Sequence, residues 1–240
     1  MKTLVTALAF LLCAAAGAQE CPAGQGLRAA TPQPPERKLE SWTAQHQAVS
    51  ERLKAMPDAD IVFVGDSITA HFSDNGRWDK LPGLAGRKAV NLGVPGDQTE
   101  NVLWRLDHMD LRGVKPRQAV LLIGTNNLRT EDAPCDILGG IGAIVQRLHA
   151  AWPQAQLVVL GILPRGARME YALERRQAVN AGLSAGAEAG GYRFVDTTGA
   201  FFCGGGNNCG YYQDDLLHLL PEGYERLWAV LQPVLQPAPK

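Results

Sequence analysis

Ser67 stands in Val64-Gly65-Asp66-Ser67-Ile68-Thr69, directly after a strongly apolar run. A serine at a strand-to-helix junction points its hydroxyl out of the sheet edge. Its backbone N–H, near a helix start, faces any negative charge that develops there. The plainer reading is an N-cap serine. The elbow G-x-S-x-G of α/β-hydrolases is absent, because Thr69 occupies the place of its second glycine. Far along the chain comes Asp215-Leu216-Leu217-His218. Three-residue spacing on a turn lets the carboxylate reach the imidazole and hold it in the tautomer a general base needs. Asp214, at an offset of four, is the second choice, and a surface Asp–His hydrogen bond is the plainer reading of the motif alone. Gly96 and Asn126 are two further candidates. A glycine lets its N–H approach a substrate closely, and the asparagine amide is a second donor for an oxyanion hole. Both residues also suit ordinary turns.

These residues need elements to carry them. Short apolar runs at 61–64, 89–92, 119–123, 157–160 and 192–195 read as buried strands. Helical stretches fall between them, at about 40–56, 98–109, 137–151, 172–188 and 222–235. Asp97-Gln98-Thr99-Glu100 reads as a capping box opening the second of these helices. Strands alternating with helices predict a three-layer α/β/α fold with a five-stranded parallel sheet, flavodoxin-like in arrangement. Such sheets bind ligands beyond the carboxyl ends of their strands. Gly65-Asp66-Ser67, Gly93 to Asp97, and Gly124-Thr125-Asn126-Asn127 all fall just there.

Composition narrows the classes. With 240 residues and 46% hydrophobic content, the chain buries one good core. A net charge of −1 leaves no basic field for nucleic acid. Lys2, the apolar Leu4 to Ala16, and Ala16-Gly17-Ala18 read as a signal peptide over 1–18, too short in its apolar part to span a bilayer. No stable membrane anchor is expected, and the location expected is secreted or periplasmic. Residues 19–38, with four prolines, read as an extended lead-in, and 39–236 as the folded domain. Outside the leader four cysteines remain, and an even number in an exported chain favours disulfides. Of three connectivities, the short Gly-Asn loop favours Cys203 with Cys209, leaving Cys21 with Cys135. No C-x-x-C or close histidine pair suggests a metal, and the glycines at 204–206 lack the Lys-Ser/Thr of a phosphate loop.

Gly65-Asp66-Ser67, Gly96, Gly124-Thr125-Asn126-Asn127 and Asp215-x-x-His218 occur in the order of the four blocks of SGNH (GDSL) hydrolases, and the chain resembles that family. Val62 to Ser67, Val102 to Leu106, and Val159 to Gly166 resemble the catalytic α subunits of intracellular platelet-activating factor acetylhydrolase. The likeness runs over roughly residues 40–235. It implies Ser67 as nucleophile, His218 as base and Asp215 as its orienting partner. It also implies an oxyanion hole from Ser67, Gly96 and Asn126, and an acyl pocket lined by Ile68, Thr125 and Leu217. The expectation is a secreted serine esterase acting on short, acetyl esters through an acyl-enzyme, with no metal or organic cofactor. The substrate expected is a small-molecule ester, an acetylated sugar or a phospholipid. The alternatives are a lysophospholipase and a carbohydrate O-acyltransferase using the same triad. A homodimer is left open. Members of that subgroup are cytosolic, so the leader and cysteines are departures from it.

Overall fold

The computed structural model describes residues 21, 28–36, 38–203 and 208–235. The leader at 1–18, part of the lead-in, the loop residues 204–207 and the domain's expected last residue lie outside the described residues. Five strands form one parallel sheet: β1 (Ile61–Gly65), β2 (Ala89–Gly93), β3 (Gln118–Leu122), β4 (Gln156–Leu160) and β5 (Arg193–Val195), in the order β2-β1-β3-β4-β5. Because side chains alternate across a strand, each central strand feeds two cores. Val62, Val64, Ala119, Leu121, Leu157 and Val159 face one, while Ile61, Phe63, Val120, Leu122, Val158 and Leu160 face the other. Apolar residues on both faces explain why the strands read as unbroken hydrophobic runs.

The first face is covered by α1 (Leu39–Lys54), α3 (Thr99–Asp107), α5 (Pro134–Ala151) and α6 (Leu173–Ala185). Helix α1 shows why: Trp42, His46, Val49 and Leu53 recur at helical spacing and are its buried residues. The second face is covered by α7 (Pro221–Leu235), whose Tyr224, Leu227, Trp228, Leu231 and Leu235 form one apolar stripe. Prolines open both α5 and α7, where their missing N–H costs nothing. Two short helices, α2 (Ser67–Ala70) and α4 (Thr125–Arg129), follow β1 and β3 directly. At four and five residues they are too short to leave a periodic signal. Gly65 admits α2 and β3 so closely that a methyl there would lie 2.3 Å from Thr69 Oγ1 and 2.2 Å from the Leu122 carbonyl oxygen.

The described part of the lead-in is fastened to the sheet's helices. The Ala29 carbonyl accepts from the Thr99 hydroxyl at 2.9 Å, and Gln33 both donates to Glu100 and accepts from Asn101. Arg28 pairs with the buried Asp132, and Cys21 is bonded to Cys135 at the start of α5. Cys203 is bonded to Cys209. No described helix is long and apolar enough to cross a membrane.

One expected cap is shifted. Helix α3 is capped by Gln98 with Asn101, one residue later than expected, and the two side chains bond reciprocally to the backbone. Asp97 cannot serve as the cap because its carboxylate is drawn into the core. There it accepts from the Trp42 indole at 2.6 Å and from Arg105 Nε at 2.7 Å.

Candidate active site

Ser67, Gly96 and Asn126 arrive on three loops that leave the carboxyl ends of β1, β2 and β3. These strands are adjacent in the sheet, with β1 in the middle. The chain reverses its direction of winding here, which is where α/β sheets open a crevice. Ser67 begins α2 and is buried at 6% exposure. Asp66 caps that helix by accepting the Ile68 N–H at 2.9 Å. Burial pushes the Asp66 carboxyl up to about 7, with nearby Asp97 adding to the rise and the Ile68 N–H and Arg165 opposing it.

Asp215 and His218 come from the turn before α7. His218 Nε2 lies 2.9 Å from Ser67 Oγ, and its Nδ1 lies 2.5 Å from Asp215 Oδ2. The other oxygen of Asp215 accepts the backbone N–H groups of Leu217 and His218 at 3.0 and 2.9 Å. Burial works against the Asp215 carboxylate, but the N–H bonds from His218 and Leu217 outweigh it and hold its pKa below the usual range. With Nδ1–H turned toward Asp215, the Nε2 lone pair faces the serine hydroxyl and can take its proton. Asp215, rather than Asp214, therefore reaches the ring. The turn closes through Leu216, which adopts a left-handed φ of 55°. Its carbonyl accepts from Gly166, and the Gln213 N–H donates to the His218 carbonyl.

Gly96 has φ +87°, and a methyl group added there would meet nothing within 4 Å. Its left-handed backbone favours glycine whatever space surrounds it. Asn126 is 6% exposed, and its amide donates one N–H to the Asp97 carbonyl at 2.8 Å. That bond joins the loop after β3 to the loop carrying Gly96. Beneath them the side chains of Asp97 and Arg105 pair at 0% exposure, and Arg105 also donates to the Gly65 carbonyl at 3.3 Å. One buried guanidinium therefore ties the loop after β2 to the end of β1. Of the expected acyl-pocket residues, Ile68 is buried in the core facing α7, Thr125 is 4% exposed, and Leu217 is half-buried against that core.

Three residues near this centre lie outside those that the sequence singles out for chemistry. The His71 ring lies 5.2 Å from the His218 ring, and its pKa is lowered, first by burial and then by His218. Arg165 stacks its guanidinium 3.8 Å from the centre of the Tyr171 ring and makes a long 3.5 Å bond to the Thr125 carbonyl. Arg105 is the third, hidden in sequence because an arginine in an amphipathic helix reads as a solvent-facing residue. Among the described residues, no group of three or more histidines, cysteines or acids is placed to hold a metal ion.

Residues 63–226 match the model of the GDSL-like lipase/acylhydrolase family. Platelet-activating factor acetylhydrolase IB subunit alpha2 of Homo sapiens is 34% identical over 187 residues, which cover 78% of this chain and 80% of the relative. Subunit alpha1 of Rattus norvegicus is 35% identical over 192 residues, covering 79% and 80%. A GDSL-like lipase of known structure from Bacteroides thetaiotaomicron superposes with a TM-score of 0.62 over 81% of this chain and 95% of its own, at 20% identity, and shares the fold. With its four blocks gathered at one edge of a five-stranded parallel sheet, the chain belongs to the GDSL-like lipase/acylhydrolase family and is a serine ester hydrolase.

Proposed function

We propose that the protein is an exported esterase that hydrolyses short-chain, acetyl esters through an acyl-enzyme on Ser67. The observation that carries this reading is the single line of contacts from Ser67 Oγ through the His218 ring to Asp215. His218 takes the hydroxyl proton as Ser67 Oγ bonds to the ester carbonyl carbon. The carbonyl oxygen gains the charge, and the N–H groups of Ser67 and Gly96 with the Asn126 amide receive it. On collapse, the alkoxide leaves with the proton held by His218. Water, deprotonated by the same ring, then releases the acid and restores the serine. Asp215 keeps the ring in its working tautomer throughout.

The short acyl limit is supported by what surrounds Ser67. Ile68 and Thr125 are buried, and Leu217 is partly covered. The similar acetylhydrolase subunits support the acetyl group by name. Export is supported by the leader-like first 18 residues and by two disulfides, bonds that persist in oxidising compartments. The test is a series of p-nitrophenyl esters on the purified protein beginning at Gln19. We expect kcat/KM to be highest for acetate and to fall steadily with chain length, and Ser67→Ala to be inactive though folded. A preference for long chains, or activity retained without Ser67, would overturn the reading.

A further inference from the structure

The donors of the proposed oxyanion hole sit on separate arms of the fold. The Gly96 N–H belongs to the loop after β2, which runs into α3. The Asn126 amide belongs to α4, which leads through Asp132 to Cys135 in α5. The spacing of the two arms decides whether both donors reach one oxygen. Asn127 links them. It is 0% exposed, and its Oδ1 accepts the Thr99 N–H at 3.1 Å. Its Nδ2 donates to Glu100 Oε2 at 3.1 Å and to Asp132 Oδ2 at 2.9 Å. Two buried carboxylates thus converge on one neutral amide. Among the described residues, the cation paired with either of them is Arg28, which meets the other oxygen of Asp132.

Arg28 belongs to the lead-in, and the lead-in grips both arms at once. On the α3 arm, the Ala29 carbonyl accepts the Thr99 hydroxyl, the Gln33 N–H donates to the Glu100 carbonyl at 3.1 Å, and the Gln33 carbonyl accepts the Asn101 amide at 3.0 Å. On the α5 arm, Arg28 pairs with Asp132, and Cys21 is bonded to Cys135. Between these ties the Ala29 carbonyl presses on α5 itself, where a methyl on Gly140 would lie 2.6 Å from its oxygen. Removing Arg28 would leave Asp132 as a buried carboxylate without its cation, bonded to the very side chain that joins the arms. Asn127 is the next residue after Asn126, so a shift of that side chain reaches the oxyanion donor through one peptide.

We infer that the lead-in is a clamp on the oxyanion hole, and that Arg28 and the Cys21–Cys135 bond act as positioning elements for hydrolysis. They fix the α3 and α5 arms against each other and so hold the Asn126 amide where the charged oxygen needs it. The inference rests on the esterase reading above. Hydrolysis of p-nitrophenyl acetate by Arg28→Ala and by Cys21→Ala tests it. Each should lower kcat by about tenfold and leave KM within about twofold of native, because a displaced donor is missed mainly by the charged oxygen of the transition state. The same substitutions are then made in Asn126→Ala. With the donor gone the clamp has nothing left to position, so each should change kcat by less than about twofold. An undiminished loss in that background, or native kcat in both single variants, would overturn the inference. Should Arg28→Ala fail to fold, Cys21→Ala, at an exposed position, carries the same comparison. A native protein that hydrolyses no ester would instead sink the esterase reading. The clamp is then decided by hydrogen exchange. The N–H groups of Thr99 and Asp132, both bonded to Asn127, should exchange about tenfold faster in the two single variants, while those of β1 keep native rates. Unchanged exchange at both positions would overturn it.

Discussion

The two halves of the catalytic centre are held in place by different means. The strand-end half, with Asp66, Ser67 and Asn126 buried and Gly96 exposed, is fixed by partners distant in sequence: Trp42, Arg105 and the ends of three strands. The half on the turn before α7 is local. Asp215 is 47% exposed, and its partners are the ring and backbone of residues two and three positions on. The contrast moves two carboxylates in opposite directions. Burial lifts Asp66 to about 7, whereas N–H bonds hold Asp215 below its usual range. A buried acid serves as a cap while holding its proton far above the usual carboxylate range, and an exposed one keeps its charge for the imidazole beside it.

Four substitutions press on that contrast. Asp215→Asn should have the largest effect, lowering kcat by up to about 10⁴ because an amide can hold the wrong tautomer of His218. Its unfolding midpoint in urea should hardly move, since the turn is exposed. A stability loss with normal kcat would mean that the turn is structural. Arg105→Met should do the reverse in kind. It strands the Asp97 carboxylate at 0% exposure and should cost about 3–5 kcal/mol in urea unfolding. Adding Asp97→Asn to it should recover part of that loss.

The third, Asp66→Asn, reads the buried acid through pH. A carboxyl raised from 3.8 to about 7 on folding adds stability that is fully present below pH 3.8 and is lost as pH climbs through about 7. Thermal midpoints should therefore fall across that window more steeply in the native protein than in Asp66→Asn, whose side-chain oxygen still accepts the Ile68 N–H. Parallel curves would show that Asp66 is ionised in the fold. The smallest change is expected from Leu216→Gly. Relief of the left-handed φ and the added chain entropy oppose each other, so stability should shift by less than about 1 kcal/mol. Only kcat, read at saturating ester, should drop a few-fold as the turn loosens.

The sequence exposed what depends on local pattern. Four apolar runs announced the inner strands and β2 because both faces of the sheet are buried there, whereas β5 is short and carries the exposed Arg193, and the spacing of Asp215 and His218 announced their contact because a turn needs only three residues. What it concealed depends on distant partners. Asp97 looked like a cap, yet Trp42, 55 positions earlier, claims its carboxylate. That Gly96 adopts a left-handed φ could not be read from its neighbours in sequence. His71 carries no motif at all, and its nearness to His218 exists only once α2 has set it one turn beyond Ser67.

The free edge of β2 has a consequence for how copies of this chain can meet. Arg52 covers the outward carbonyl of Asn91, and the Asn91 side chain covers the outward N–H of Gly93 at 2.9 Å. A strand from a second molecule would find those two ladder positions already occupied. At the far side β5 is only three residues long. Both borders are therefore poor templates for a strand from a second molecule, which works against fibril growth and strand exchange.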